Sequence, residues 1–355
     1  MPSLLPFPRS YQPAAGPVAT LPVTRYGIRS LTPLPFVAHK EPHFPALRID
    51  TDSGLPRWGI GGLLPASDFT DGLVRPHEAT LLPRLQRQRE LVLADRGALG
   101  KPVLLTLPSL APLRDSLPPP AGAPVVYNTP DFRYRLYPDS GTTSPLYLDG
   151  LGPLVIADGH HRAYTHAALA AEGVPGFDYI PVMLIGGEDL SINAFMRSIR
   201  TTQQPASLLT RLRDFFHVQA IPAPRPVTQA GMWLYSYRGR HYHLTRRDLT
   251  VSDTDAAWLN DTVLPPLFDI TDVRTDAHIN FLIPPPVVEG VYQLPEGLYE
   301  QVLLLGRPIT KQRFFAEVEA GRLLPPKSTY FRPRLPSGLL VWVPQTDPEG
   351  VDRRG

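Results

Sequence analysis

The chain contains no cysteine, which excludes disulfides, thiolate nucleophiles, iron–sulfur ligation and every zinc site built on sulfur. Any metal ion would have to sit on histidine or oxygen ligands. Lysine is scarce too: Lys40, Lys101, Lys311 and Lys327 are the only four among 35 basic residues. Cationic sites are therefore expected to use arginine, whose planar fork suits carboxylates and phosphates. An excess of one charge sign is also missing, because 35 basic against 33 acidic residues leave a net charge of +2. That is too little to drive non-specific binding to a phosphate backbone, so nucleic acid is not an expected partner. No apolar stretch approaches the ~20 residues that span a bilayer. The prolines near the start of the chain interrupt the continuous apolar core that a signal peptide needs. The expectation is a cytoplasmic protein with no membrane partner.

What is present is a chain of 355 residues, 43% hydrophobic and 19% charged, long enough for two domains and apolar enough to fold. Proline is abundant at 44 residues, with 27 glycines, which predicts rigid loops and short elements. Residues 1–25 are proline-rich without helical or strand period and read as an extended, loosely ordered arm. Apolar runs predict strands at 60–64, 102–107, 154–157 and 179–185, and a helix at 83–95 stops before Gly97. Residues 108–124 read as a proline-stiffened connection. After the strand at 154–157, the turn DGHH leads into an alanine-rich helix that ends at Gly173, and a further strand follows. That order predicts a βαβ unit with the turn where a strand's carboxyl end meets a helix amino terminus. Farther on, Trp233, Tyr235 and Tyr237 alternate before an Arg238–Gly239 turn, and Tyr242 and Leu244 alternate after it, the pattern of a hairpin. Helices are expected at 255–264 and 310–320, a loop at 327–330 and a last strand at 339–343.

Two clusters carry the chemistry. Asp158, Gly159, His160, His161 and Arg162 lie between an apolar strand and an apolar-faced helix. Glycine allows close approach of a ligand, while helix-start N–H groups, imidazoles and a guanidinium offer donors to a phosphate or carboxylate. Asp158 would hold a magnesium ion or orient a histidine. The plainer alternative has Asp158 capping the helix and the histidines decorating a surface turn. Arg75, Pro76, His77 and Glu78 form the second cluster. A carboxylate near phosphates can accept the proton of an attacking hydroxyl. Equally, Glu78 in a helix's first turn is what the helix dipole favours. His241 and His243 share one face of a strand and read as structural, with no third ligand near. Lys327 and Ser328 follow two prolines in a loop and are candidate phosphate or nucleotide donors, although no GxxxxGK run accompanies them and a surface loop is the plainer reading.

Three segments, GLVRPHEATL (72–81), VIADGHHRAYTHAAL (155–169) and LLPPKSTYFRPRLPSGLLV (323–341), resemble in order and spacing the bacterial and archaeal family called domain of unknown function (DUF) 1015. That family is similar to SerK-type free-serine kinases. The resemblance implies a mixed α/β (α+β) protein with a ParB/sulfiredoxin-like nucleotide-binding core at 26–216 and an additional C-terminal α+β region at 217–355. It implies transfer of a phosphoryl group from ATP or ADP, with Mg2+, to the hydroxyl of a free amino acid, L-serine first. Carried over by residue, Glu78 matches the general base. Asp158, His160, His161 and Arg162 match the phosphate and catalytic segment, with Gly159, Arg75 and His77 beside them. Lys327 and Ser328 match a terminal KST segment of unassigned role. The sequence departs from the usual HHRYE at Ala163 and Tyr164, losing a carboxylate. A non-catalytic nucleotide- or amino-acid-binding regulator of the same fold is the alternative.

Overall fold

The computed structural model describes residues 2–19, 21, 36–51, 54–79, 82–94, 100–248 and 253–344. The chain is a mixed α/β protein in two compact units, one made of Met1–Ser191 with Pro333–Gly355 and the other of Ile192–Arg332.

The first unit is built on a nine-stranded mixed sheet. From one edge it runs Gly16–Val18, Val125–Asn128, Arg133–Tyr137, Ala46–Asp50, Arg57–Pro65, Tyr179–Gly186 (β4), Val103–Leu107 (β2), Leu154–Asp158 (β3) and Val74–Arg75 (β1). The central strands are unbroken apolar runs because both faces are covered. Leu154 and Ile156 of β3 point to the face where Ala163 and Ala167 of helix α2 (His160–Ala171) complete a buried cluster. Helix α1 (Leu82–Ala94) packs on α2 through Val92 against Leu169 and Phe177. At its surface, Arg89 grips Glu172 with two bonds of 2.7 Å.

The strand, turn, helix and strand predicted around the DGHH turn are all present, but they do not make a parallel βαβ unit. The strand β2 lies between β3 and β4, parallel to β4 and antiparallel to β3. Parallel pairing comes instead from β1, whose Val74 and Arg75 stand opposite Leu154 and Val155 of β3. The predicted connection at 108–124 contains a short helix, Ala111–Ser116, with proline at its second position, where the lost N–H has no intrahelical partner to miss.

The amino-terminal segment is extended, as expected, yet firmly built in. Leu4 and Phe7 are fully buried, Ser3–Leu4 pairs with Leu146–Tyr147, and Gly16–Val18 is an edge strand of the sheet. Proline suits such edges, where no ladder N–H is required. The part of that reading at 22–25 lies outside the described residues. The predicted strand at 339–343 is reduced to isolated bridge residues at Val341 and Trp342, with Val341 paired to Tyr11. Its apolar side chains are nonetheless buried, with the Trp342 ring 6.4 Å from that of His166, and the Gly338 N–H donates to the Gly100 carbonyl at 2.6 Å.

The second unit is a six-stranded antiparallel sheet in the order Phe216–Ile221, Arg240–Arg246 (β6), Met232–Tyr237 (β5), Gln301–Gly306, Met196–Arg200 and Ile279–Leu282. The hairpin β5–β6 closes at Arg238 and Gly239, both at positive φ, the conformation that matches strand twist in a two-residue turn. Trp233, Tyr235 and Tyr237 all face inward, and Trp233, Trp258 and Phe216 pack ring to ring at 5.4–5.5 Å. The helix expected at 255–264 starts at Asp255, capped by the Thr254 side chain. It passes through a π-helical stretch at Leu259–Val263 and continues to Phe268. Helix α3 (Lys311–Glu319) follows its cap, Thr310, as predicted.

Candidate functional site

The parallel pairing of β1 and β3 explains why two segments about eighty residues apart meet. Arg75 and Val155 are partners, so three residues on, Glu78 and Asp158 leave the same end of adjacent strands. The imidazole of His77 seals the junction: its Nδ1–H donates to the Ile156 carbonyl at 2.6 Å, 79 residues away. Its ring meets that of His160 edge-on, with centroids 4.6 Å apart. Across the cleft, the Glu78 carboxylate lies 3.8 Å from His160 Nδ1. Helix α1 begins at Leu82, so Glu78 precedes it and is not a first-turn residue stabilised by the helix dipole.

The turn itself is shaped by two local devices. A bulge between Ile156 and Asp158 breaks the register of β3 against β2, and bulges of this kind re-aim side chains. Gly159 then starts α2 at φ +106°, a conformation disfavoured for side chains with a Cβ. A Cβ there would lie 2.6 Å from Arg162 Nη2. The room left by glycine is thus used by Arg162, which folds back over the turn toward Asp158 and the Pro102 carbonyl, each 3.4 Å away. Gly159 is the amino-terminal cap, and no side chain caps the helix, so Asp158 does not serve as a cap.

Asp158 pairs with Lys101 at 2.8 Å and with Arg162. Burial alone would raise its pKa, but Lys101 and Arg162 outweigh that and hold its carboxyl well below the usual carboxylate range. Lys101 itself is pushed down by burial, against the pull of Asp158. Lysine 101 was not among the residues singled out from the sequence. Its signal was available, since it is one of only four lysines and immediately precedes the buried run at 102–107. Arg334 adds its field to Asp158 and Lys101.

His77 and His160 are both buried. Burial lowers the pKa of each, and for His160 the neighbouring His77 lowers it further, so His160 stands well below the ordinary histidine value. Both imidazoles are neutral near pH 7. His160 Nε2 is buried without a hydrogen-bond partner among the described residues. His161 is half-buried in the first turn of α2 and Arg75 half-buried on β1. Ala163, where the usual motif has tyrosine, is fully buried in the core cluster, and Tyr164 is half-buried.

The Asp158 carboxylate faces Lys101 and Arg162, so a magnesium ion at this turn would be held chiefly by the phosphates of a nucleotide, with Asp158 the protein carboxylate nearest to them. Lys327 and Ser328 belong to the second unit. Lys327 sits at φ +61° with its ammonium 5.4 Å from the Phe195 ring centroid, and Ser328 bonds to the Pro325 carbonyl. His241 Nδ1 bonds to Ser236 Oγ at 2.8 Å and His243 to the Arg225 carbonyl at 3.2 Å, which fits their structural reading.

These features define a mixed α/β protein whose first unit carries a cationic, imidazole-lined helix start opposed by one carboxylate. The chain belongs to the DUF1015 family, described as a protein of unknown function, whose model matches residues 35–267. No curated protein matches the sequence. Among solved structures, a C-terminally truncated SbnI from Staphylococcus aureus is similar at 15% identity, covering 78% of this chain and 85% of that one, with a TM-score of 0.46. A free serine kinase in complex with AMP is similar at 14% identity, over 76% and 86% of the two chains, with a TM-score of 0.42. A conserved hypothetical protein from Pyrococcus furiosus is similar at 14% identity, over 78% and 93%, with a TM-score of 0.41. Among the described residues, no helix is long and apolar enough to cross a membrane.

Proposed function

We propose that the protein is a phosphotransferase that moves the terminal phosphoryl group of ATP or ADP to the hydroxyl of a free amino acid, with L-serine the first substrate to test. The nucleotide-binding part is the ParB/sulfiredoxin-like core that the family motifs imply at 26–216. The observation that carries this reading is the meeting of Glu78 with the turn at Asp158–Arg162, a carboxylate 3.8 Å from His160 Nδ1 at the start of α2.

The chemistry follows from the charges. A helix start presents N–H groups without intrahelical acceptors and the positive end of the dipole. Lys101, Arg162 and Arg334 together exceed the single charge of Asp158, so the pocket attracts phosphate oxygens. His160, neutral, offers Nε2 to the same group. The acceptor hydroxyl gives its proton to Glu78 as its oxygen bonds to the terminal phosphorus. The bond from that phosphorus to the bridging oxygen breaks, and ADP or AMP leaves. Positioning and charge stabilisation do most of the work in such a reaction.

Incubation of the purified protein with ATP or ADP, magnesium and a panel of hydroxy amino acids, followed by phosphorus NMR of the products, tests the reading. Phosphoserine formation is expected. Glu78→Gln should slow transfer by roughly 10² to 10⁴-fold with nucleotide affinity retained, and a Gln variant as fast as the parent would remove Glu78 from the mechanism. Nucleotide binding without any phosphorylated product would favour a regulatory binding protein, the role that the loss of a carboxylate at Ala163 and Tyr164 would suit.

A further inference from the structure

The second unit carries a half-open cavity of about 350 Å³ that the proposed reaction does not use. Arg197, Arg246, Trp233, Thr310 and Ser328 stand in its wall. Both arginines are only 3% exposed, and neither forms an ion pair among the described residues.

The Arg246 guanidinium lies over the Trp258 ring, its Cζ 4.3 Å from the centroid. Its Nε and Nη2 are buried without a hydrogen-bond acceptor among the described residues. Arg197 donates from Nη2 to Asn260 Oδ1 at 3.0 Å and faces the Phe281 ring, while its Nε also lacks an acceptor. Burial lowers the Arg197 pKa to about 10, so it remains a cation at neutral pH. Buried cations without a counter-ion are costly unless a ligand supplies one.

The acidic residues of the same wall do not supply that counter-ion. Asp255 accepts the Gly231 N–H at 2.9 Å, and Asp253 is exposed. The start of α3 at Thr310 adds the positive end of a helix dipole to the wall. Two buried cations and a helix start call for a doubly charged group; a carboxylate would answer only one of them.

We propose that this cavity is a second ligand site that takes a small phosphate monoester, its phosphate drawn by the guanidinium groups of Arg246 and Arg197 in the wall and its carbon body against Trp233. The site stands apart from the phosphotransfer reading, because no residue of the Asp158 turn belongs to this unit.

Calorimetric titration of the full-length protein with glycerol 3-phosphate tests it, with acetate as the carboxylate arm and sodium chloride as the ionic-strength control. Saturable binding of glycerol 3-phosphate but not acetate is expected. Arg246→Met should remove that binding event or weaken it at least about tenfold. Ala230→Glu, which places a carboxylate on an exposed part of the same wall, should do the same and keeps the test open if the Met variant does not fold. Absence of binding to the parent protein, equal binding of acetate or chloride, or unchanged binding in a folded variant would each overturn the proposal.

Discussion

Lys101 is one of only four lysines in the chain, yet it is the closest partner of Asp158. The scarcity of lysine suggested arginine at every cationic site, and composition cannot show that one lysine before a strand will face the bulge of the next. Removing Lys101 leaves Asp158 with the longer Arg162 contact and the field of Arg334. Lys101→Met should therefore cost up to about 3 kcal/mol, below the full value for a buried pair because both side chains keep some solvent. Urea unfolding measures it, and adding Asp158→Asn should recover part of the loss. Gly159→Ala should cost about 1–2 kcal/mol for its φ alone and should displace Arg162 as well, which nucleotide titration would register as weaker binding. The two buried histidines make a separate statement about pH. Their folded pKa values lie below the unfolded value near 6.5, so the unfolded chain binds more protons as pH drops beneath that value. Their stabilising contribution is present above it and is lost on acidification. Melting temperatures should fall from about pH 7 to about pH 5, and less so in His77→Asn, which keeps a donor for Ile156 but does not titrate.

The elements that the sequence made legible are those with strong local period or punctuation. Helix α2 has its alanine-rich face and Gly173, the β5–β6 hairpin its alternating aromatics, and α3 its Phe314 and Val318 one turn apart before Gly321. What was not legible depends on partners distant in sequence. The insertion of β2 between β3 and β4 cannot be read from either strand, and the bridge at Val341 depends on Tyr11 at the other end of the chain. The meeting of the two motif segments was an expectation from the family resemblance and not from either segment's own pattern, and the parallel register that enforces it was not legible. Arg238–Gly239 is the element whose sequence most directly sets its shape. Gly239→Ala, at φ +72° and 3.3 Å from the Tyr299 ring, should destabilise the second unit by about 1–2 kcal/mol, seen as an earlier loss of near-ultraviolet dichroism in urea.

For the whole molecule, the near-balance of charge sets the partners it can have. With a net charge of +2, duplex DNA should give no anisotropy change at about 150 mM salt, since backbone binding requires many neutralised phosphates. The first unit draws its last contributions from Pro333 onward: Arg334 toward Asp158, Gly338 onto Gly100, Val341 onto Tyr11 and Trp342 against His166. A ribosome delivers these residues only after the whole of Ile192–Arg332 has emerged. A nascent chain halted before position 333 would carry every residue of its second unit and a first unit still waiting for its closing strap, so maturation runs against the usual amino-terminal-first order.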